Sequence, residues 1–148
     1  MEKGVLNNKE KNKNFDGKEY SSIKINNDIK ATELFEFVAE NSNVEWSLLR
    51  YDKTSNILLT SNEENTERGA SHFMAKIYKD KLQLRENIHS HPNWTDVGPS
   101  GFKTAERSLK NSDRAMAEFS EKYFPKAIFK VYQVRTKKYI RYDGNKIY

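Results

Sequence analysis

The 148-residue sequence predicts an α/β fold of the α+β type, in which a mixed β-sheet is flanked by helices. Some segments repeat apolar residues at helical spacing, and several short segments are rich in β-branched and aromatic residues. Along the chain these segments follow the order helix, hairpin, strand, helix and strands. That order is typical of helices packed on a mixed sheet.

The N-terminal segment differs in composition from the rest. Residues 1–29 are rich in Asn, Lys and Asp and poor in apolar side chains, which predicts a flexible arm before one domain at 30–148. The chain has neither an apolar signal core at its start nor a window of about eighteen apolar residues. We therefore expect neither a secretory signal nor a membrane span.

The first predicted elements are a helix and a hairpin. Residues 31–41 carry apolar side chains at helical spacing, and Asn27 or Asp28 stands upstream to start the first turn. The apolar, β-prone segments 44–52 and 56–61 follow and predict a hairpin, with Glu45 inside its first strand. The next apolar residues keep a helical period that an irregular strand would also fit, so we leave that segment undecided: Ala70, Phe73, Met74 and Ile77.

The second half of the chain predicts a strand, a helix and further strands. In residues 81–91, Leu82, Leu84 and Ile88 alternate with polar residues and should share one face of a strand. A helix should start at Ser112 and Asp113, because short polar side chains favour that position. The chain ends in two strands and a third short one, with a tight turn at Asp143-Gly144.

Composition narrows the chemistry of any functional site. The absence of cysteine excludes disulfides, thiolate ligands and cysteine nucleophiles, so a metal ion must be held by His, Asp or Glu. Residues 124–148 carry seven Lys or Arg and one acid. We interpret this basic end as solvated strand surface, since no recognised nucleic-acid-binding motif accompanies it. Nucleic-acid binding is the weaker hypothesis.

The stretch RENIHSHPN places two of the three histidines in one strand. His89 and His91 are two residues apart, so they point to the same side and can hold one ion together. A third ligand must come from elsewhere, either a carboxylate or His72. Asp113 suits this role because the start of a helix orients a short acidic side chain. The alternative is that the histidines are ordinary polar residues beside a proline.

Several motifs together carry a resemblance to a known family. HSHP after a strand, Glu45 in an earlier strand and Ser-Asp at a helix start resemble the JAB1/MPN metalloprotease family with its JAMM motif. VEWSLL, IHSHPN, PSGF and KYIRYDG resemble its bacterial JAB-like toxin branch. The resemblance implies a JAB1/MPN-like, cytidine-deaminase-like fold and a bound Zn2+. By matching positions it implies His89, His91 and Asp113 as zinc ligands and Glu45 as general base.

The spacing of the motif departs from the family pattern. The resemblance implies roughly ten residues between the second histidine and the aspartate, whereas twenty-one separate His91 from Asp113. Asp96 and Glu106 are therefore competing acidic ligands, with Asp113 preferred because it opens a helix. Lys110 stands three residues before Asp113 where the family has serine, so the serine that stabilises an oxyanion is Ser112, Ser100 or absent.

The resemblance implies a zinc-dependent peptidase or isopeptidase acting on a protein or peptide, with ubiquitin-like conjugates among the candidate substrates. It further implies a bacterial toxin or effector domain. Because we expect neither a secretory signal nor a membrane span, we predict a cytoplasmic location, unless the domain is exported as part of a larger toxin system. The alternative within the same fold is a catalytically silent protein-binding scaffold. Metal content distinguishes the two.

Overall fold

A computed structural model describes residues 9–64, 66–92 and 98–148. Seven strands are present: β1 (Glu10–Lys13), β2 (Glu19–Ile25), β3 (Ser47–Tyr51), β4 (Ser55–Thr60), β5 (Leu84–His91), β6 (Ile128–Gln133) and β7 (Lys138–Tyr142). Three α-helices accompany them: α1 (Asp28–Glu40), α2 (Gly69–Lys79) and α3 (Asp113–Glu121). The strands form one sheet in the order β1-β2-β4-β3-β5-β6-β7. Only the β5–β6 pair is parallel among these neighbours, so the predicted mixed sheet is confirmed.

Helix α1 covers one face of the sheet and begins as predicted. The side chain of Asn27 accepts a hydrogen bond from the Lys30 amide at 2.9 Å, which satisfies one free N–H of the first turn. The apolar side of α1 packs on β-strand residues that include Leu48 and Ile88. This cluster is the first of two main parts of the core.

Helices α2 and α3 cover the opposite face. The segment that the sequence left undecided is helical, and its apolar residues are all buried: Ala70, Phe73, Met74 and Ile77. They pack with Leu49 and Leu84 in the second main cluster, while Ala117 of α3 packs with Phe129 and Val131 of β6. Because parallel strands cannot be joined by a tight turn, the connection from β5 to β6 crosses over the sheet and carries α3.

The prediction of a flexible arm is wrong for residues 10–25, which form β1 and β2. Strand β2 pairs with β4 from Ser21 opposite Thr60 onward. Its apolar side chains Tyr20 and Ile23 are only 3% and 2% exposed, one in each main cluster of the core. Because most of the segment is polar, its composition does not indicate that these two side chains anchor a strand in the core. Residues 1–8 lie outside the described ranges.

Strand β5 does not keep one apolar face along its length. The register of β3 against β5 shifts between Arg50 and Tyr51, so Leu84 packs on the α2 side and Ile88 on the α1 side. The prediction that both share a face is therefore wrong, because the irregularity interrupts the alternation. Beyond the shift, the amide nitrogen of the Asn87 side chain lies 3.6 Å from Met74 Sδ of α2. Within β5, residues 87, 89 and 91 therefore point toward the face of the sheet that α2 and α3 cover.

The C-terminal segment forms β6 and β7 as predicted, and Tyr142 bridges to Ile147 after the turn at Asp143-Gly144. The Asp143 amide donates to the Lys146 carbonyl at 3.0 Å to close this turn. Within the described ranges, no helix has the length and apolar character needed to cross a membrane.

Candidate metal centre

Three side chains converge at the end of β5 and the start of α3. His89 Nε2 lies 3.0 Å from Asp113 Oδ1, and His91 Nε2 lies 3.6 Å from Asp113 Oδ2. The two Nε2 atoms are 3.2 Å apart. Ligand atoms from all three residues lie within 4.8 Å of one another, so the three residues expected to bind metal are brought together.

The spacing of these atoms fits a small tetrahedral ion. Zinc binds nitrogen and oxygen ligands at roughly 2.0–2.1 Å, which separates neighbouring ligand atoms of a tetrahedron by about 3.3 Å. The separation of 3.2 Å between the two Nε2 atoms and that of 3.0 Å between His89 Nε2 and Asp113 Oδ1 lie near this value, while His91 Nε2 lies 3.6 Å from the other carboxylate oxygen, Oδ2. Two imidazoles and one carboxylate also form a donor set that zinc accepts while a fourth position stays open.

The residue between the two histidines fixes their strand. Ser90 is 1% exposed, and its amide donates to the Trp46 carbonyl at 2.8 Å. Its hydroxyl in turn accepts from the Trp46 amide at 3.0 Å. This pair of bonds holds β5 against the residue that precedes β3. Since alternate residues of a strand point to the same side, the two imidazoles are held on the face of α3.

A reciprocal pair of hydrogen bonds brings Asp113 across the expanded loop. The Ser100 amide donates to Asp113 Oδ2 at 2.7 Å, and the Asp113 amide donates to Ser100 Oγ at 3.0 Å. The Arg114 amide adds a bond to the Ser100 carbonyl at 3.1 Å. Ser100 therefore contacts a candidate ligand directly although twelve residues separate it from Asp113.

Ser112 has a different role from Ser100. It is the N-cap of α3, and its hydroxyl accepts from the Ala115 amide at 3.2 Å. The loop passes so close that a Cβ at Gly101 would lie 2.5 Å from Ser112 Oγ, and Gly101 has a φ of +92°. Only glycine meets both conditions without strain. Ser112 thus holds the start of α3, while Ser100 holds the carboxylate.

The competing ligands do not join the group where the structure describes them. Glu106 Oε2 accepts from the Gly101 amide at 3.1 Å, which ties it to the loop backbone. His72 Nδ1 lies 2.7 Å from the Tyr20 hydroxyl, away from the other two histidines. Asp96, the other competing acid, lies outside the described residues.

Glu45 lies just before β3 and not inside it, which corrects the sequence-based placement. Its amide donates to the Glu63 carbonyl at 2.9 Å, and its carbonyl accepts from the Thr60 hydroxyl at 2.8 Å. Burial raises the pKa of the Glu45 carboxyl, although the nearby His89 and His91 partly oppose that rise. A carboxyl whose pKa moves toward neutrality is suited to exchange protons at physiological pH.

Electrostatics couples His89 to Asp113 in the metal-free protein. Burial lowers the pKa of His89, but the Asp113 carboxylate outweighs that effect and raises it to about 9. Burial likewise opposes ionisation of Asp113, yet the two histidines hold the pKa of its carboxyl well below the usual range. Without a metal, the positive charge of a protonated imidazole therefore faces this carboxylate.

This coupling predicts how the stability of the metal-free protein depends on pH. The pKa of His89 is raised from 6.5 to about 9, so its contribution is complete below pH 6.5 and disappears as the pH rises through 9. We expect the free energy of unfolding to fall by up to about 3 kcal/mol over that range. Urea titrations of chelator-treated protein at several pH values measure this fall. A parallel series on His89→Gln should lack it, and equal slopes in the two proteins would contradict the coupling.

Two further residues near the centre escaped the sequence analysis. Tyr142, 2% exposed, places its ring centroid 6.3 Å from that of His89 and walls the site on the β7 side. Glu67 is a half-buried acid that interacts electrostatically with His89. An acid two residues before a helix start is a recognisable capping signal, but its nearness to the histidines depends on the fold.

A seven-stranded mixed sheet with a His-His-Asp group at the end of β5 defines a protein of the JAB-like fold with a candidate metal centre. Comparison with protein families agrees with that class. The family described as JAB-like toxin 1 matches residues 23–119, and the chain belongs to this family. The search of curated proteins found no matching relative.

Proposed function

We propose that the protein is a zinc-dependent peptidase or isopeptidase of the JAMM type. The observation that carries this proposal is the convergence of His89 Nε2, His91 Nε2 and the Asp113 carboxylate, whose ligand atoms lie within 4.8 Å of one another. Membership of the JAB-like toxin family supports the same function. When bound, zinc supplies a water of lowered pKa and a Lewis acid for a carbonyl group.

The residues around the centre suit hydrolysis of an amide bond. Glu45 would accept a proton from the attacking water and deliver it to the leaving amine, and its half-buried carboxyl, with a raised pKa, suits both transfers. Ser100 would donate its hydroxyl proton to the developing oxyanion. We prefer it to Ser112 because the Ser100 hydroxyl lies against Asp113, whereas Ser112 caps α3.

The proposed substrate is a protein or peptide, with isopeptide-linked ubiquitin-like conjugates as one class to examine. The proposed biological role is that of a bacterial toxin or effector domain, and the word toxin in the family description supports the first of these roles. The basic end does not redirect this proposal toward nucleic acid. Two of its cations form ion pairs within the protein, since Lys130 pairs with Glu86 at 2.9 Å and Lys137 pairs with Glu40 at 3.5 Å.

Removing the metal tests the proposal. The purified protein is expected to contain about one zinc per chain and to cleave members of a panel of linear and isopeptide-linked substrates. Chelation should abolish cleavage, and one equivalent of zinc should restore it. Full cleavage by the zinc-free protein would overturn the mechanism. A zinc-binding protein that cleaves nothing in the panel, or a protein that binds neither zinc nor substrate, would favour the scaffold alternative.

A further inference from the structure

Glu67 is a half-buried acid that the proposed hydrolysis does not use. Its Oε1 accepts from the Gly69 amide at 2.6 Å, and its Oε2 accepts from the Ala70 amide at 2.8 Å. The Ser47 hydroxyl lies close enough to the same carboxylate to lower the pKa of Glu67. Donors therefore reach both oxygens, which is the arrangement that stabilises an ionised carboxylate.

Ser47 connects this carboxylate to the candidate metal centre. In the pairing of β3 with β5, Ser47 is the direct partner of His89, so their side chains are neighbours on one face of the sheet. Ser47 is 3% exposed, so its hydroxyl has little access to water. Neighbouring side chains thus connect the start of α2 to a candidate ligand, in the order Glu67, Ser47 and His89.

The surroundings of Glu67 hold it in that place. A Cβ on Gly69 would lie 2.4 Å from a ring carbon of Tyr20, so the start of α2 presses directly on β2. The N-cap residue itself, Arg68, makes no capping bond with its side chain, and Glu67 performs this task from one residue earlier. A Ser, Thr or Asn at the N-cap would cap the helix without introducing a negative charge.

Burial of a carboxylate is costly unless positive charge lies near it. Burial raises the pKa of the Glu67 carboxyl, while the amides of Gly69 and Ala70 and the Ser47 hydroxyl oppose that rise. His89 adds an electrostatic contribution in the same direction. A divalent ion bound by neutral imidazoles and one carboxylate would carry a net positive charge next to this acid.

We propose that Glu67 is a positioning residue that strengthens divalent-cation binding at the His89, His91 and Asp113 centre. It does so from outside the ligand set, by fixing Ser47 beside His89 and by placing a half-buried negative charge behind that ligand. This inference rests on the proposed function, because it requires that the centre hold zinc. Groups that orient metal ligands in this way commonly change metal affinity roughly 10–100-fold when they are removed.

The test compares zinc affinity in Glu67→Gln and the parent, measured by competition with a chromophoric chelator. We expect affinity to fall at least about tenfold in the variant. Circular dichroism of the metal-free proteins checks that both are folded. Ser47→Ala is the second variant, which keeps the test valid should Glu67→Gln fail to fold, and we expect it to weaken zinc binding too.

Asn27→Ala is the matched control. It removes the cap of α1, next to Asp28, whose carboxylate binds Arg85 at the opposite end of β5 from the histidines. This control should lower stability and leave zinc affinity unchanged. Equal affinity in the parent, Glu67→Gln and Ser47→Ala would overturn the inference alone, as would an equal loss in Asn27→Ala. A parent that binds no zinc would instead refute the proposed function, and the inference with it.

Discussion

Glu45→Gln should retain zinc and lose hydrolysis. Its backbone is held by Glu63 and Thr60, and these bonds do not involve the side chain. The amide has nearly the shape of the carboxylate but cannot accept and return a proton at neutral pH. A positioned acid or base commonly contributes roughly 10²–10⁴-fold to a rate, so we expect a loss of that size in kcat. Elemental analysis and steady-state kinetics on the same preparation measure both quantities.

The control for this variant is Glu63→Gln, the same substitution at a neighbouring acid. Glu63 is exposed and pairs with Arg68 at 2.8 Å, so its replacement should leave kcat unchanged. Equal activity in Glu45→Gln and the parent would remove Glu45 from the mechanism. Loss of zinc along with activity would show that Glu45 supports the metal centre itself.

Asp113→Ala is expected to lose zinc binding. The aspartate supplies the one carboxylate of the group and lies 3.0 Å from His89 Nε2, so its removal leaves two imidazoles. The loss in affinity should exceed the roughly 10–100-fold that changes to residues outside the ligand set produce. Calorimetric titration with zinc measures it. Asp113→Asn, which keeps the size of the side chain, separates loss of the charge from disturbance of the contact with Ser100.

The control for the aspartate lies in the same loop. Glu106→Gln alters an acid that bonds the Gly101 amide and stands outside the group, so zinc affinity should stay within about twofold of the parent value. If Glu106→Gln abolishes binding and Asp113→Ala does not, the third ligand has been assigned to the wrong acid.

The histidines were predictable because their relation is local. His89 and His91 share a strand, and the period of two alone places them on one side. The helix start at Asp113 was equally local, since Ser112 and its neighbours carry the capping signal. Each half of the site could therefore be predicted from local sequence, whereas the contact between them was expected only through the family resemblance.

The route of the loop decides that contact. Twelve residues separate Ser100 from Asp113, and nothing in their composition states that the two would exchange hydrogen bonds. For this reason the sequence did not decide whether the serine that stabilises an oxyanion is Ser112, Ser100 or absent. The packing of Gly101 against Ser112, which draws the two ends of the loop together, exists only in the folded chain.

Other misassignments have the same origin in long-range structure. The bulge that places Leu84 and Ile88 on opposite faces arises from pairing with β3, a partner distant in sequence. Strand β2 is polar in composition because the buried residues Ser21 and Ser22 stand between its two apolar anchors, which reach separate clusters. Glu67 belongs to the site only because α2 starts beside Ser47.

The central claim is that His89, His91 and Asp113 hold one divalent metal ion. Anomalous diffraction from crystals grown with zinc, recorded above and below the zinc absorption edge, tests it most directly. A single anomalous peak between the two Nε2 atoms and the Asp113 carboxylate is the predicted result. Absence of a peak there, or a peak on other residues, would contradict the claim and leave the histidines as polar residues of β5.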